Sequence, residues 1–109
     1  MSQPITEIVQ VKFKSNISIE DQMPEFTRLL ERQLGFLQLA WGRWVESPDN
    51  VQMLLNWDTI ESHHRFEKSG ADYAALGVIV KSLVAEPPVV YHVNFKSDNG
   101  LTISAASAA

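Results

Sequence analysis

The stretch Ile5 to Phe13, ITEIVQVKF, alternates: Glu7, Val9, Val11 and Phe13 share one side while Ile8, Gln10 and Lys12 share the other, the two-residue period of a strand. From Asp21 to Leu34 the period changes. Phe26, Leu29, Leu30 and Leu34 recur at helical spacing, which predicts an amphipathic helix with Pro24 in its first turn and Gly35 ending it in left-handed geometry. Leu37 to Glu46 and Val51 to Trp57 flank SPDN, a turn-forming tetrapeptide, and read as a hairpin. Thr59 caps a second helical stretch through IESHHRFEKS, with Glu61 at its positive end. Gly70 interrupts that stretch, and helical spacing resumes from Asp72 to Val84 with Tyr73, Leu76 and Leu83 on one face. EPP stops this helix before VVYHVNF, Val89 to Phe95, a last alternating strand.

The order strand, helix, strand, strand, helix, strand predicts an α+β domain of ferredoxin-like type, with an antiparallel sheet and its helices on one face. The domain takes residues 1–97, and 98–109 form a small, polar C-terminal tail. A symmetric SPDN loop pairs Trp44 with Met53, Arg43 with Leu54 and Trp41 with Asn56. One face then holds Val9, Val11, Trp44, Met53, Leu55 and Tyr91, nearly all apolar, and belongs under the helices. The other holds Gln10, Trp41, Arg43, Leu54, Asn56, His92 and Asn94. That mixture is too apolar for open water and too polar for a dry core, and it has the composition of a small-molecule pocket. A second copy of the sheet closes such a pocket, so a homodimer is expected.

Composition narrows the function further. With 109 residues, 45% hydrophobic and 20% charged, the chain holds one globular domain with one core. A formal charge of -4, with nine scattered Lys and Arg, argues against nucleic acid as a partner, since phosphate binding needs clustered cations. The absence of cysteine excludes thiolate catalysis, disulfides and Cys-based zinc sites, and it fits an intracellular chain. MSQPITEIVQ has no basic segment leading into an apolar run, and nowhere are there about 18 consecutive apolar residues, so no membrane partner and a cytoplasmic location are expected. No phosphate-binding glycine loop, nucleophile elbow or paired-carboxylate site is readable. His63 and His64 in HHR are helical neighbours pointing about 100° apart, a poor arrangement for one metal ion, and no metal or other cofactor is expected.

The segment LGFLQLAWGRWVESPDNVQMLLNWDTIESHHRF resembles the dimeric α/β-barrel proteins, and within them the antibiotic-biosynthesis-monooxygenase-like domains. The likeness lies in a Gly-initiated strand, a hairpin, a strand ending in Trp57-Asp58, and a helix carrying His63 and Phe66, and it extends over Ile5 to Phe95. The resemblance implies a homodimer and chemistry without a cofactor. Members include monooxygenases of anthrone or quinol substrates, and related barrels act as polyketide cyclases, isomerases or decarboxylases, degrade haem, or have no established activity.

Candidate residues follow from both readings. His92 on the pocket face titrates near neutrality and can take a phenol or enol proton without a metal, its alternative being a hydrogen-bonded histidine at the barrel seam. Arg43 can hold a carboxylate or a developing oxyanion, or else an interface ion pair. Asn56 and Asn94 can hydrogen-bond a carbonyl or satisfy backbone groups, and Trp41 can stack on a planar ring or pack in the interface. Gln10 and Leu54 complete that face. The resemblance turns His63 inward and His64 outward, and Tyr73 either donates from its phenol or buries its ring. The chemistry expected is proton transfer on an aromatic or polyketide-like molecule by His92, with His63 or Tyr73, ending in oxygenation, cyclisation, isomerisation or decarboxylation. The alternative is a non-catalytic homodimer that binds a small ligand or a partner.

Overall fold

The computed structural model describes residues 4–96 and 98. The elements run β1 (Ile5–Lys12), α1 (Ile19–Glu31), β2 (Phe36–Arg43), β3 (Asn50–Trp57), α2 (Ile60–Glu67), α3 (Ala71–Leu83) and β4 (Val89–Val93). Every strand pair is antiparallel and the order is β2-β3-β1-β4, the ferredoxin-like arrangement. Among the described residues no helix is long and apolar enough to cross a membrane.

Helix α1 starts two residues before the expected position and ends at Glu31, so Pro24 lies inside it and Leu34 is left exposed. Its buried side chains are Ile19, Met23, Phe26, Leu29 and Leu30, one stripe at helical spacing. Gly35 is left-handed, at φ 87°, in the turn into β2, and its carbonyl accepts a hydrogen bond from Asp58 N at 2.8 Å. Thr59 caps α2 by accepting from Ser62 N at 3.2 Å. Gly70, at φ 86°, breaks the second helical region into α2 and α3.

The hairpin register differs from the symmetric-loop expectation. Trp41 pairs with Met53 and Arg43 with Val51, because the turn is centred on Ser47: Trp44 N donates to Asn50 O at 2.8 Å and Asn50 N to Ser47 O at 2.9 Å. The pairing is displaced by three residues, an odd number, and side chains alternate with a period of two, so β2 presents the opposite face. Strand β4 is reversed in the same way, since His92 pairs with Glu7 and Tyr91 with Ile8. Trp41, Arg43, Val90 and His92 therefore share the helix side of the sheet with Val9, Met53 and Leu55, whereas Ala40, Tyr91 and Val93 lie on the open side. Between sheet and helices sits a core in which Trp57, Ile19, Leu30 and Val51 are fully buried. On the open side Tyr91 and Val89 remain 41% and 54% exposed.

Candidate active site

Strand β1 carries a carboxylate into the apolar layer. Glu7 shares the helix-facing row with Val9 and Val11 and is only 7% exposed. Trp57 Nε1–H donates to its Oε1 at 3.1 Å, and His63 Nε2 approaches the same oxygen at 3.3 Å. The other ring nitrogen of His63, Nδ1, lies 2.8 Å from Nε2 of His92. Glu7, His63 and His92 thus come from β1, α2 and β4 to form one chain. The cap at Thr59 sets the rotation of α2 that turns His63 inward against the Trp57 ring, at 5.2 Å between centroids. His64 faces outward to Glu67 at 2.9 Å.

Beside this chain lies a cavity of about 670 Å³ between the sheet and the helices, a size suited to a small organic ligand. Glu7 and His63 open onto it; its walls are mainly apolar, with Val9, Leu55, Phe66 and Leu76 among them. Tyr73 also lines it, with its ring set edge-on to Phe66 at 5.3 Å. Glu67, Lys81 and Glu86 supply the remaining charge.

Burial governs the electrostatics. It pushes the Glu7 carboxyl up to about 7, against the Trp57 hydrogen bond that favours the anion, with Glu67 adding repulsion. It pushes His63 down to about 4, with Glu67 opposing and His92 and His64 reinforcing the shift. His92 is lowered too, first by burial and then by His64. At neutral pH the imidazoles are neutral and Glu7 stands near its midpoint. A carboxyl poised there both accepts and returns a proton readily.

Glu7, His63 and His92 also have the composition of a metal site, with candidate ligand atoms within 4.8 Å of one another. However, His63 meets Glu7 through one nitrogen and His92 through the other, and these lone pairs point to opposite sides of the ring. A single ion takes all three residues only after the ring turns.

The structure brings together three of the sequence candidates, His63, His92 and Tyr73, and separates the rest from them. Arg43 is on the helix side but binds Glu20 at 3.1 Å and the Pro48 carbonyl at 2.9 Å, clear of the cavity, so it shares no pocket with His92. Trp41 packs against the core. Asn56 accepts from Thr6 Oγ1 at 2.6 Å and donates to Gln38 at 3.4 Å on the open face, where Gln10 also donates to the Tyr91 hydroxyl at 3.1 Å. Leu54 is on that face as well, and Asn94 follows the end of β4, outside the cavity lining. The expected pocket face is therefore split, with Gln10, Leu54 and Asn56 of β1 and β3 on the open side and Trp41, Arg43 and His92 of β2 and β4 on the cavity side of the sheet. Sequence reasoning missed Glu7, although its signal was present: a lone acid in the same alternating row as Val9, Val11 and Phe13.

The architecture, an antiparallel sheet of order β2-β3-β1-β4 with a cavity against its helices, is a ferredoxin-like fold that solved proteins named as antibiotic biosynthesis monooxygenases share. No protein-family model matches the chain, and no curated protein matches it. Solved structures do. A Bordetella bronchiseptica protein named for the antibiotic biosynthesis monooxygenases superposes with a TM-score of 0.79 at 24% identity, over 87% of this chain and 99% of the other. SnoaB, a cofactor-independent oxygenase from Streptomyces nogalater, matches in a mutant form with a TM-score of 0.76 at 10% identity, over 91% and 99%. A Nitrosomonas europaea protein with the same family name gives 0.74 at 15%, over 92% and 97%. At such identities the likeness establishes the fold, and function rests on the site.

Proposed function

We propose that the chain is a small oxygenase-type enzyme that works without a cofactor on an aromatic or polyketide-like molecule held between the sheet and the helices. The observation that carries this reading is a buried carboxyl, poised near neutrality and backed by a neutral imidazole, opening into a large apolar cavity. Glu7 as carboxylate takes a proton from an activated C–H or a phenol, and Tyr73 holds a substrate oxygen at the other wall. The resulting carbanion or phenolate is electron-rich and reacts with dioxygen directly; the peroxide anion formed takes a proton back and loses water to leave a carbonyl. The name of SnoaB gives this reading its precedent on the same fold.

The open face of the sheet, with Tyr91, Val89 and the Thr6-Asn56-Gln38 hydrogen bonds, is in this reading the surface on which a second copy docks. Arg43, Trp41, Asn56, Asn94, Gln10 and Leu54 then serve the sheet and its pairing rather than the substrate.

The test is mass spectrometry of anthrones, quinols and polyketide intermediates incubated with the protein in air and under argon, beside Glu7→Gln and His63→Gln. An oxygen-dependent mass gain lost in both variants supports the oxygenase. A product of unchanged mass that forms without oxygen points instead to isomerisation or cyclisation, and loss of carbon dioxide to decarboxylation. Binding of the panel with no turnover favours a ligand-binding domain.

A further inference from the structure

The cavity reaches Glu7 and His63 but not His92, which sits behind His63 on β4. Among the described residues strand β4 is at the edge of the sheet, paired with β1, and His92 is half-buried there. The three side chains therefore form one contiguous cluster, with Glu7 and His92 facing each other across β1 and β4 and His63 in contact with both, that reaches from the cavity to the edge strand. We propose that this cluster is a proton wire, Glu7 to His63 to His92, in which His92 is a positioning residue that exchanges protons with solvent at the sheet edge while a substrate fills the cavity.

The atoms of each step balance. With the Glu7 carboxyl protonated, His63 and His92 carry their hydrogens on Nδ1. Glu7 O–H passes its proton to Nε2 of His63 while His63 Nδ1–H passes its own to Nε2 of His92. His92, now an imidazolium, gives its Nδ1 proton to water, which leaves Glu7 a carboxylate accepting from His63 Nε2–H. A substrate C–H bond then breaks with its electron pair kept on carbon, and an O–H bond forms at Glu7. Dioxygen adds to the carbanion, and the peroxide anion takes this proton from Glu7. A proton returning from water along the wire restores the carboxyl and both starting tautomers, with no net transfer over the cycle.

A pair of neutral imidazoles suits this role, because each has one N–H and one lone pair, so the chain can run with its hydrogens pointing either way. The 3.3 Å separation between Glu7 and His63 is long for transfer and would shorten when a substrate closes the site. The other titratable groups facing the wire are His64 and Glu67, both on α2, and they pair with each other at 2.9 Å.

This inference builds on the proposed acid/base function, and two experiments separate their failures. The first needs no substrate: ¹⁵N and ¹³C NMR titration of the ring nitrogens and the Glu7 carboxyl from pH 4 to 9. The wire predicts that His63 and His92 change tautomer at the same midpoint as Glu7, and that Glu7→Gln removes this step from both rings. Rings that keep one tautomer throughout overturn it, whatever the enzyme does. The second follows deuterium exchange at the acidic C–H of an anthrone under argon. His92→Ala should slow exchange by at least about tenfold at unchanged KM, within the range for a lost proton-transfer partner. Added imidazole should restore the rate in proportion to its concentration, and His92→Gln should behave in the same way. Loss that imidazole cannot rescue, in either folded variant, overturns the wire. So does tight binding of one Zn²⁺ per chain that His92→Ala abolishes, since the residues would then form a metal centre.

Discussion

Glu7→Gln isolates the cost of holding a carboxylate in an apolar layer. Glutamine keeps the shape of the protonated acid and an oxygen for the Trp57 Nε1–H, so it mimics one charge state of the site. In the folded chain Glu7 titrates near 7, against an ordinary value of 4.5. Between these values the unfolded carboxyl is ionised while the folded one still carries its proton. The unfolded state therefore binds fewer protons, and Glu7 lowers wild-type stability as pH rises from about 4.5 through 7. Integrated from pH 5 to 8.5, the stability gap between Glu7→Gln and wild type should widen by about 2–3 kcal/mol in favour of the variant. His63 works in the opposite sense, since its folded value of about 4 lies below the ordinary 6.5 and removes stability as pH falls through that window. Both proteins share that contribution, so it largely cancels in the difference. Urea unfolding at half-unit pH steps measures the gap, and thermal melts should show the variant about 10 °C or more above wild type at pH 8.5 relative to the offset at pH 5. A gap that stays flat within about 0.5 kcal/mol would show that Glu7 titrates normally and that the cavity wall is wet.

The proposed activity should rise with pH through a midpoint near 7 as Glu7 ionises, and a pH–rate profile that lacks this limb would remove Glu7 as the base. Trp57→Phe deletes the one hydrogen bond that favours the Glu7 anion, so the carboxyl should titrate higher still by ¹³C NMR, with a stability loss on the order of 1–2 kcal/mol. Gly35→Ala strains a left-handed backbone position and drives a methyl into Ser62 and Asp58, which should cost about 2 kcal/mol or more in urea unfolding; a neutral result would mean that the β2 entry turn is loosely held. Tyr91→Arg places a cation on the edge-strand side of the open face and should convert a dimer, seen by light scattering at micromolar concentration, into a monomer; a wild type that is already monomeric ends the pairing argument.

Alternation and helical spacing alone determined the order of elements, the ferredoxin-like sheet, the cap at Thr59 and the break at Gly70, and the family resemblance gave the inward turn of His63. The local features depend on neighbours within a few residues, so the local pattern contains them. The faces of β2 and β4 were not legible. Both strands are apolar on each side, so composition does not choose between registers, and an odd displacement exchanges every inward residue for an outward one. For β2 the choice lies in the turn hydrogen bonds around Ser47, and for β4 in its pairing with β1. The same ambiguity moved Arg43, Trp41 and His92 to the helix side of the sheet and Tyr91 onto the open surface. Glu7 is the clearest case. Its place in an apolar row is written in the sequence, but its perturbed acidity comes from burial beside groups such as Trp57 and His63, which lie far along the chain and meet it only when the sheet and α2 pack. Periodicity reports which way a side chain points; desolvation depends on what closes over it, and that is decided by tertiary structure.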